Sequence, residues 1–266
     1  MALFDPGKDI RILREPTVYL VGRQTVDPRE LDRFLSDYGV AWQTDTEVAA
    51  EHLTEIAGRV CYMSFAKPRP GGNQIYLDHI LEVGHGSVLE HAVWNFVFTG
   101  VSRTLTHELI RHRAGWAYSQ LSQRYVDESV AEYVEPDCIA ENPALHQLWL
   151  ETISQSHQAY MKLAEGLQEA FREEPDKTLR RKLARQAARS VLPNATETKI
   201  FVSANARALR HFIELRGSRH AEVEIRKLAI QVLNLMKTEA PHIFGDYQLV
   251  SLPDGTFEAT TEHRKV

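Results

Sequence analysis

Cysteine is scarce. Only Cys61 and Cys138 occur in 266 residues, far apart and outside any Cys-x-x-Cys pair. That excludes a disulfide framework and predicts a reducing, cytoplasmic setting. Long apolar runs are also missing. No stretch of about 18 apolar residues predicts a membrane span, and the opening residues lack an apolar core of signal-peptide length. There is no glycine-rich GxGxxG or P-loop motif, so a bound cofactor would not use a Rossmann fold. His79, His85 and His91 are six apart and His107 and His112 five apart. None has the four-residue helical spacing of a two-histidine zinc site, and no metal site is expected. Excess positive charge is lacking too. The net charge of −5 excludes a general nucleic-acid binder, so any anion site must be a local cluster of cations.

A 43% hydrophobic composition over this length suffices for a sizeable core. We read residues 1–266 as a single domain. Pro16 to Gly22 reads as a strand, and residues 46–59 as a helix with Val48, Leu53, Ile56 and Val60 close to helical spacing. Lys67 to Gly72 is a loop. Gln74 to Val83 is a helix that Gly84 stops in the left-handed conformation. Ser87 and Glu90 have capping-box spacing. Ala92 to Val101 alternates, with Trp94, Phe96 and Phe98 on one face, and predicts a half-buried strand. Ser102 to Arg113 reads as a helix with a stripe of Val101, Leu105 and Leu109. Residues 114–121 read as irregular and 123–134 as extended. Helices are expected over Pro143 to Phe171, Lys177 to Val191 and 221–239. Thr198 to Ala204 reads as a strand, followed by a helix from an Asn205 cap to Arg216, with Gly217 as its stop. Strands and helices mix without a regular βαβ rhythm, so the class is α+β.

Chemistry concentrates in Arg111-His-Arg-Ala-Gly-Trp-Ala-Tyr-Ser-Gln-Leu-Ser-Gln-Arg-Tyr125. Arginines grip planar or phosphate oxygens with paired donors. Ser and Gln suit the edge of a base, and backbone amides of a Ser-rich loop meet phosphate. The plainer explanation is that cations near a helix C-terminus complement its dipole. Leu209, Phe212 and Ile213 form a buried stripe, and Arg216 falls beside it. A cation aimed inward needs an acceptor or a ligand; otherwise Arg216 merely caps the last carbonyls. Arg181, Arg185 and Arg189 share one face of a basic helix. That face is solvated or an interface by default, and it lacks the aromatics a nucleic-acid stacking surface needs. Cys61 has apolar neighbours and reads as a small buried core residue.

Taken together, these segments resemble the flavin-dependent thymidylate synthases. Arg111-His112-Arg113 followed by Ser122-Gln123-Arg124-Tyr125 is similar to that family's signature. So are Gly84-His-Gly-Ser-Val-Leu-Glu-His91, Ser190-Val-Leu-Pro193 after Arg189, and Asn205-Ala-Arg207 through Leu215-Arg216 to His220-Ala221. The spacer between Arg-His-Arg and the serine is eight residues, one more than the commonest form, with the extra residue in Ala114 to Ala117. His211 stands where some relatives carry asparagine.

The resemblance implies an antiparallel sheet with long flanking helices, and a homotetramer with active sites at subunit interfaces. It implies FAD as cofactor, with dUMP, NADPH and methylene-tetrahydrofolate as substrates. It assigns Glu108, Arg111, Gln120, Leu121, Ser122, Gln123, Arg124, Arg189 and Arg216 to dUMP. It assigns Ser87, Arg111, His112, Arg113, Gln120, Asn205, Arg207 and His211 to FAD. Arg216 is the residue implied to polarise the uracil ring. Neither nucleic acid nor a membrane is an expected partner. Three alternatives stay open: a cysteine-dependent thymidylate synthase, which needs an activated thiolate; a nucleic-acid module built on helix 177–189; and a flavoprotein of this fold without synthase activity.

Overall fold

The computed structural model describes residues 3–4, 10–66 and 70–264. The chain opens with β1 (Leu3–Phe4), β2 (Arg11–Leu13) and β3 (Thr17–Arg23). Three helices follow: α1 (Pro28–Asp37), α2 (Ala49–Tyr62) and α3 (Gly72–Glu82). A 3-10 turn over Gly86–His91 leads into β4 (Val93–Ser102), α4 (Arg103–Leu109), β5 (Trp116–Gln120) and β6 (Glu132–Val134). Next come α5 (Asp137–Ala140), α6 (Pro143–Ala170) and α7 (Lys177–Ala188), then β7 (Glu197–Asn205), α8 (Ala206–Arg216) and α9 (Val223–Glu239). The last elements are α10 (Pro241–Phe244), β8 (Gln248–Ser251) and β9 (Phe257–Thr260).

The main sheet has the order β3-β4-β7-β5. Backbone bonds from Arg103 to Thr196 and from Ala206 to Ala92 flank β4 and β7. Bonds from Asn205 to Gly115 and from Leu121 to Lys199 flank β5 and β7. In each pair the partner numbers run in opposite directions, which makes the neighbours antiparallel. The α+β class with an antiparallel sheet and long helices holds.

The chain forms two compact units. One comprises the segment to Thr17, Phe98–Ile110 and Ser119–Ile200. In it α6 packs along α7, and β2 pairs in parallel with β6. Ile10, Ile12, Ala131, Tyr133 and Ile153 form its apolar cluster. The second comprises Val18–Val97, Arg111–Tyr118 and the chain from Phe201 onward. There the predicted stripe of α8, Leu209, Phe212 and Ile213, is wholly buried, as are Ile225, Leu228, Val232 and Met236 of α9. Leu35, Trp42 and Phe65 make a smaller cluster.

Several sequence expectations need correction. The segment 114–121 is not irregular, because Trp116–Gln120 forms β5 beside β7. Only residues 132–134 of the supposed extended run are a strand. The helix over 102–113 stops at Leu109, and Ser102 caps it through a bond from the Leu105 amide. Ser87 and Glu90 form no capping box, since the 3-10 turn carries no side-chain cap. α1, α5, α10 and the β8–β9 hairpin went unread. The loop expected over residues 67–72 lies partly outside the described residues. Gly84 does take a left-handed φ of +71°, and Gly217 is the C-cap of α8. Cys61 is exposed rather than buried. α2 turns polar residues inward instead, with Glu51, Thr54, Glu55 and Arg59 all buried, which leaves Cys61 and Val60 outside.

Candidate active site

The second unit brings Arg111, His112, Arg113, His211 and Arg216 around one cleft of about 370 Å³, which Trp116 also lines. Two elements deliver these side chains. Arg111 to Arg113 follow α4 directly, and His211 and Arg216 ride on α8. Asn205 joins the two segments. Its side chain accepts from the Ala208 amide at 2.9 Å, capping α8, while its backbone amide donates to the Gly115 carbonyl at 3.1 Å. Gly115 has φ +74°, and a Cβ there would stand 2.7 Å from the Asn205 amide nitrogen and 2.8 Å from Ala208. Only glycine combines that backbone conformation with so close an approach.

His112 is buried, and Arg216 donates from Nε to its Nε2 at 3.1 Å. Burial first, then the charge of Arg216, then His211, lower the imidazole pKa to about 4. The ring is neutral at neutral pH. Tyr118 donates its hydroxyl to the His112 carbonyl at 2.6 Å, and burial pushes its phenol above the usual range. The Trp116 and Tyr118 rings stack with centroids 5.8 Å apart. Arg111 and Arg113 are exposed, so this cleft offers cations on its rim, a neutral histidine inside and an aromatic wall.

Ser87, Asn205 and Arg207 do not line this cleft. Ser87 is exposed on the 3-10 turn, and Arg207 pairs with Glu90 at 2.6 Å on the surface. Glu108, Gln120, Leu121, Ser122, Gln123, Arg124 and Arg189 belong to the first unit. Gln120 donates to Thr106 at 3.2 Å and to Thr198 at 3.3 Å. The Leu121 amide is held by the Lys199 carbonyl, and the Ser122 carbonyl receives the Tyr125 and Val126 amides, which turns the chain. Gln123 is buried, and the Arg124 guanidinium lies 5.7 Å from the Tyr125 ring. Glu108 sits half-buried near the end of α4.

A profile of the family described as thymidylate synthase complementing protein matches residues 44–242. A flavin-dependent thymidylate synthase from Mycolicibacterium gilvum is 51% identical over 224 residues, 84% of this chain and 89% of the relative. Its counterpart from Mycobacterium avium is 49% identical over 230 residues, 86% and 91% of the two chains. The chain belongs to the flavin-dependent thymidylate synthase family. A crystal structure of the UMP/dUMP methylase PolB from Streptomyces cacaoi, bound with 5-Br UMP, superposes with a TM-score of 0.63. That likeness covers 88% of this chain and 94% of the other at 21% identity, and it bears on the fold alone.

α4 ends at Leu109. Arg111 and Arg113 lie beyond its last carbonyls, on the cleft. Sequence reasoning missed Trp116, Tyr118 and Leu215 around this cleft. The alternation of Trp116 and Tyr118 in Trp-Ala-Tyr-Ser-Gln carried the signal of a strand with two aromatics on one face. It also missed Arg103 and Glu128 in the first unit. Burial lowers the pKa of Arg103, against the opposing pull of Glu128, and Arg189 lowers it further. Burial raises the Glu128 carboxyl. Among the described residues, Arg103 Nη1, Gln123 Nε2 and Glu128 Oε1 are buried without a protein hydrogen-bond partner. Nothing in the chain around Arg103 or Glu128 marks them as inward-facing.

Proposed function

We propose that this chain converts dUMP to dTMP, with methylene-tetrahydrofolate as carbon donor, NADPH as reductant and FAD as cofactor. The observation that carries the reading is the gathering of Arg111, His112, Arg113, His211 and Arg216 on one cleft of a family member. The donor set fits a flavin dinucleotide: exposed guanidinium groups suit pyrophosphate oxygens, and Trp116 offers a flat face to an aromatic ring. When bound, FAD supplies the hydride chemistry, and the protein supplies orientation and electrostatics. Arg216 places a permanent positive charge where negative charge gathers on the uracil ring, and a preorganised donor in a dry site stabilises it. Ser122, Arg124 and Arg189 serve the phosphate, with Glu108, Gln120, Leu121 and Gln123 around the nucleotide. Ser87, Asn205 and Arg207 join the cleft residues at the flavin. The whole of 1–266 acts as one catalytic domain in the cytoplasm.

Titration of the purified protein with FAD tests this reading. A saturable change in flavin absorbance is expected, with a further change when dUMP is added. Flavin that binds without responding to dUMP would contradict it. The active form is a homotetramer with sites between subunits, supported by the family and by the basic face of α7. Light scattering should give four chains; a fully active monomer at micromolar concentration would refute the assembly.

A further inference from the structure

The bond from Arg216 Nε to His112 Nε2, 3.1 Å long, fixes more than a contact. An imidazole nitrogen accepts only when it carries no proton. His112 is therefore neutral, with its ring proton on Nδ1. The low imidazole pKa agrees with this state. The ring has little room to turn. Phe212 meets it edge-on with centroids 5.4 Å apart, and His211 and Trp116 stand at 5.8 and 6.1 Å. Its backbone is held by the Tyr118 hydroxyl. Arg216 sits on the last turn of α8, whose Asn205 cap is bonded to Gly115 at the other end of the same loop. Both partners are thus mounted on one braced pair of segments.

Nε lies in the plane of the guanidinium. Holding it ties one in-plane donor to the buried ring and so limits the orientations the guanidinium can take. A carboxylate could do the same, but its charge would cancel the cation that the reaction needs. A neutral imidazole orients the guanidinium and leaves its charge intact.

We infer that His112 is a positioning residue for the reaction: through Nε2 it sets the orientation of the Arg216 guanidinium toward the reacting pyrimidine. This rests on the proposed thymidylate synthesis and is separate from any contact of His112 with flavin.

Two measurements test it. In flavin-free protein, nitrogen-15 NMR should show His112 as the Nδ1-protonated neutral tautomer down to about pH 5. Arg216→Ala should raise its pKa measurably toward the ordinary histidine value of about 6.5. An unchanged tautomer and pKa would overturn the proposal. The second measurement compares His112→Phe with His112→Gln in flavin-loaded protein, because the glutamine carbonyl can still accept from Nε. His112→Phe should lower kcat at least ~10-fold with KM for dUMP changed less than ~3-fold, and at equal flavin occupancy His112→Gln should turn over at least ~5-fold faster than His112→Phe. Glutamine no better than phenylalanine would show that the ring acts by packing, which overturns the proposal. Should either variant fail to load flavin, the NMR comparison decides. A parent protein that forms no dTMP would defeat the functional reading, while the NMR arm still decides the pairing.

Discussion

At the scale of single residues, Arg216 carries the heaviest chemical demand. It is half-buried at the end of α8, and its Nε is committed to a neutral histidine. Arg216→Ala should therefore damage the reaction far more than the fold. We expect kcat to fall about a hundredfold, near 3 kcal/mol in the barrier, with flavin content and melting temperature close to the parent's. Arg216→Lys should restore only part of the rate, because an ammonium cannot present a planar two-pronged donor. Turnover beside flavin content decides it, and near-normal turnover in Arg216→Ala would reduce the residue to a helix cap. The inward placement of Arg216 was legible, because Leu209, Phe212 and Ile213 define the stripe beside it. Its partner was not. His112 lies 104 positions away, and no local pattern reports so distant a contact.

At the scale of elements, α2 shows why an apolar pattern can mislead. Its buried face is a polar network. Arg59 donates from Nη2 to Glu55 at 2.7 Å and from Nη1 to the Ser64 carbonyl at 2.8 Å. Thr44 and Asn73 satisfy the other Glu55 oxygen at 2.9 and 2.7 Å. The guanidinium lies 5.2 Å from the Trp42 ring and 4.8 Å from the Tyr76 ring. A buried network is tolerated when every member is satisfied, and one missing partner strands the rest. Arg59→Ala should cost about 3–5 kcal/mol of unfolding free energy, read from urea denaturation; a loss below ~1 kcal/mol would contradict this account. The helix was legible in the spacing of Val48, Leu53 and Ile56, but the face it buries was not. An ion pair hidden by tertiary partners leaves no apolar stripe. β5 was missed for a related reason. Its signal, the alternation of Trp116 and Tyr118, is confined to five residues, and the pairing with β7 that fixes it is long-range. β4, by contrast, was plain from Trp94, Phe96 and Phe98, all buried.

At the scale of the whole molecule, the net charge of −5 coexists with a cleft ringed by arginine and histidine. Bulk acidity excludes indiscriminate binding of polyanions, while the local cations suit a nucleotide and a dinucleotide cofactor. The α+β class was legible from the irregular alternation of strands and helices, but the grouping of Arg111, His112 and Arg113 with His211 and Arg216 came only from the family resemblance, because local chemistry left each of them open to a plainer role. No helix among the described residues is long and apolar enough to cross a membrane, and no histidine, cysteine or carboxylate cluster among them could hold a metal. Both cysteines are exposed, so their replacement should leave the core intact. The decisive test of a flavin mechanism is dTMP formation by the Cys61→Ala, Cys138→Ala double variant, supplied with dUMP, methylene-tetrahydrofolate and NADPH, with and without FAD. We predict turnover within about threefold of the parent when FAD is present, and none when it is stripped. A folded, flavin-loaded double variant that makes no dTMP would place the chemistry on a thiol and contradict the account.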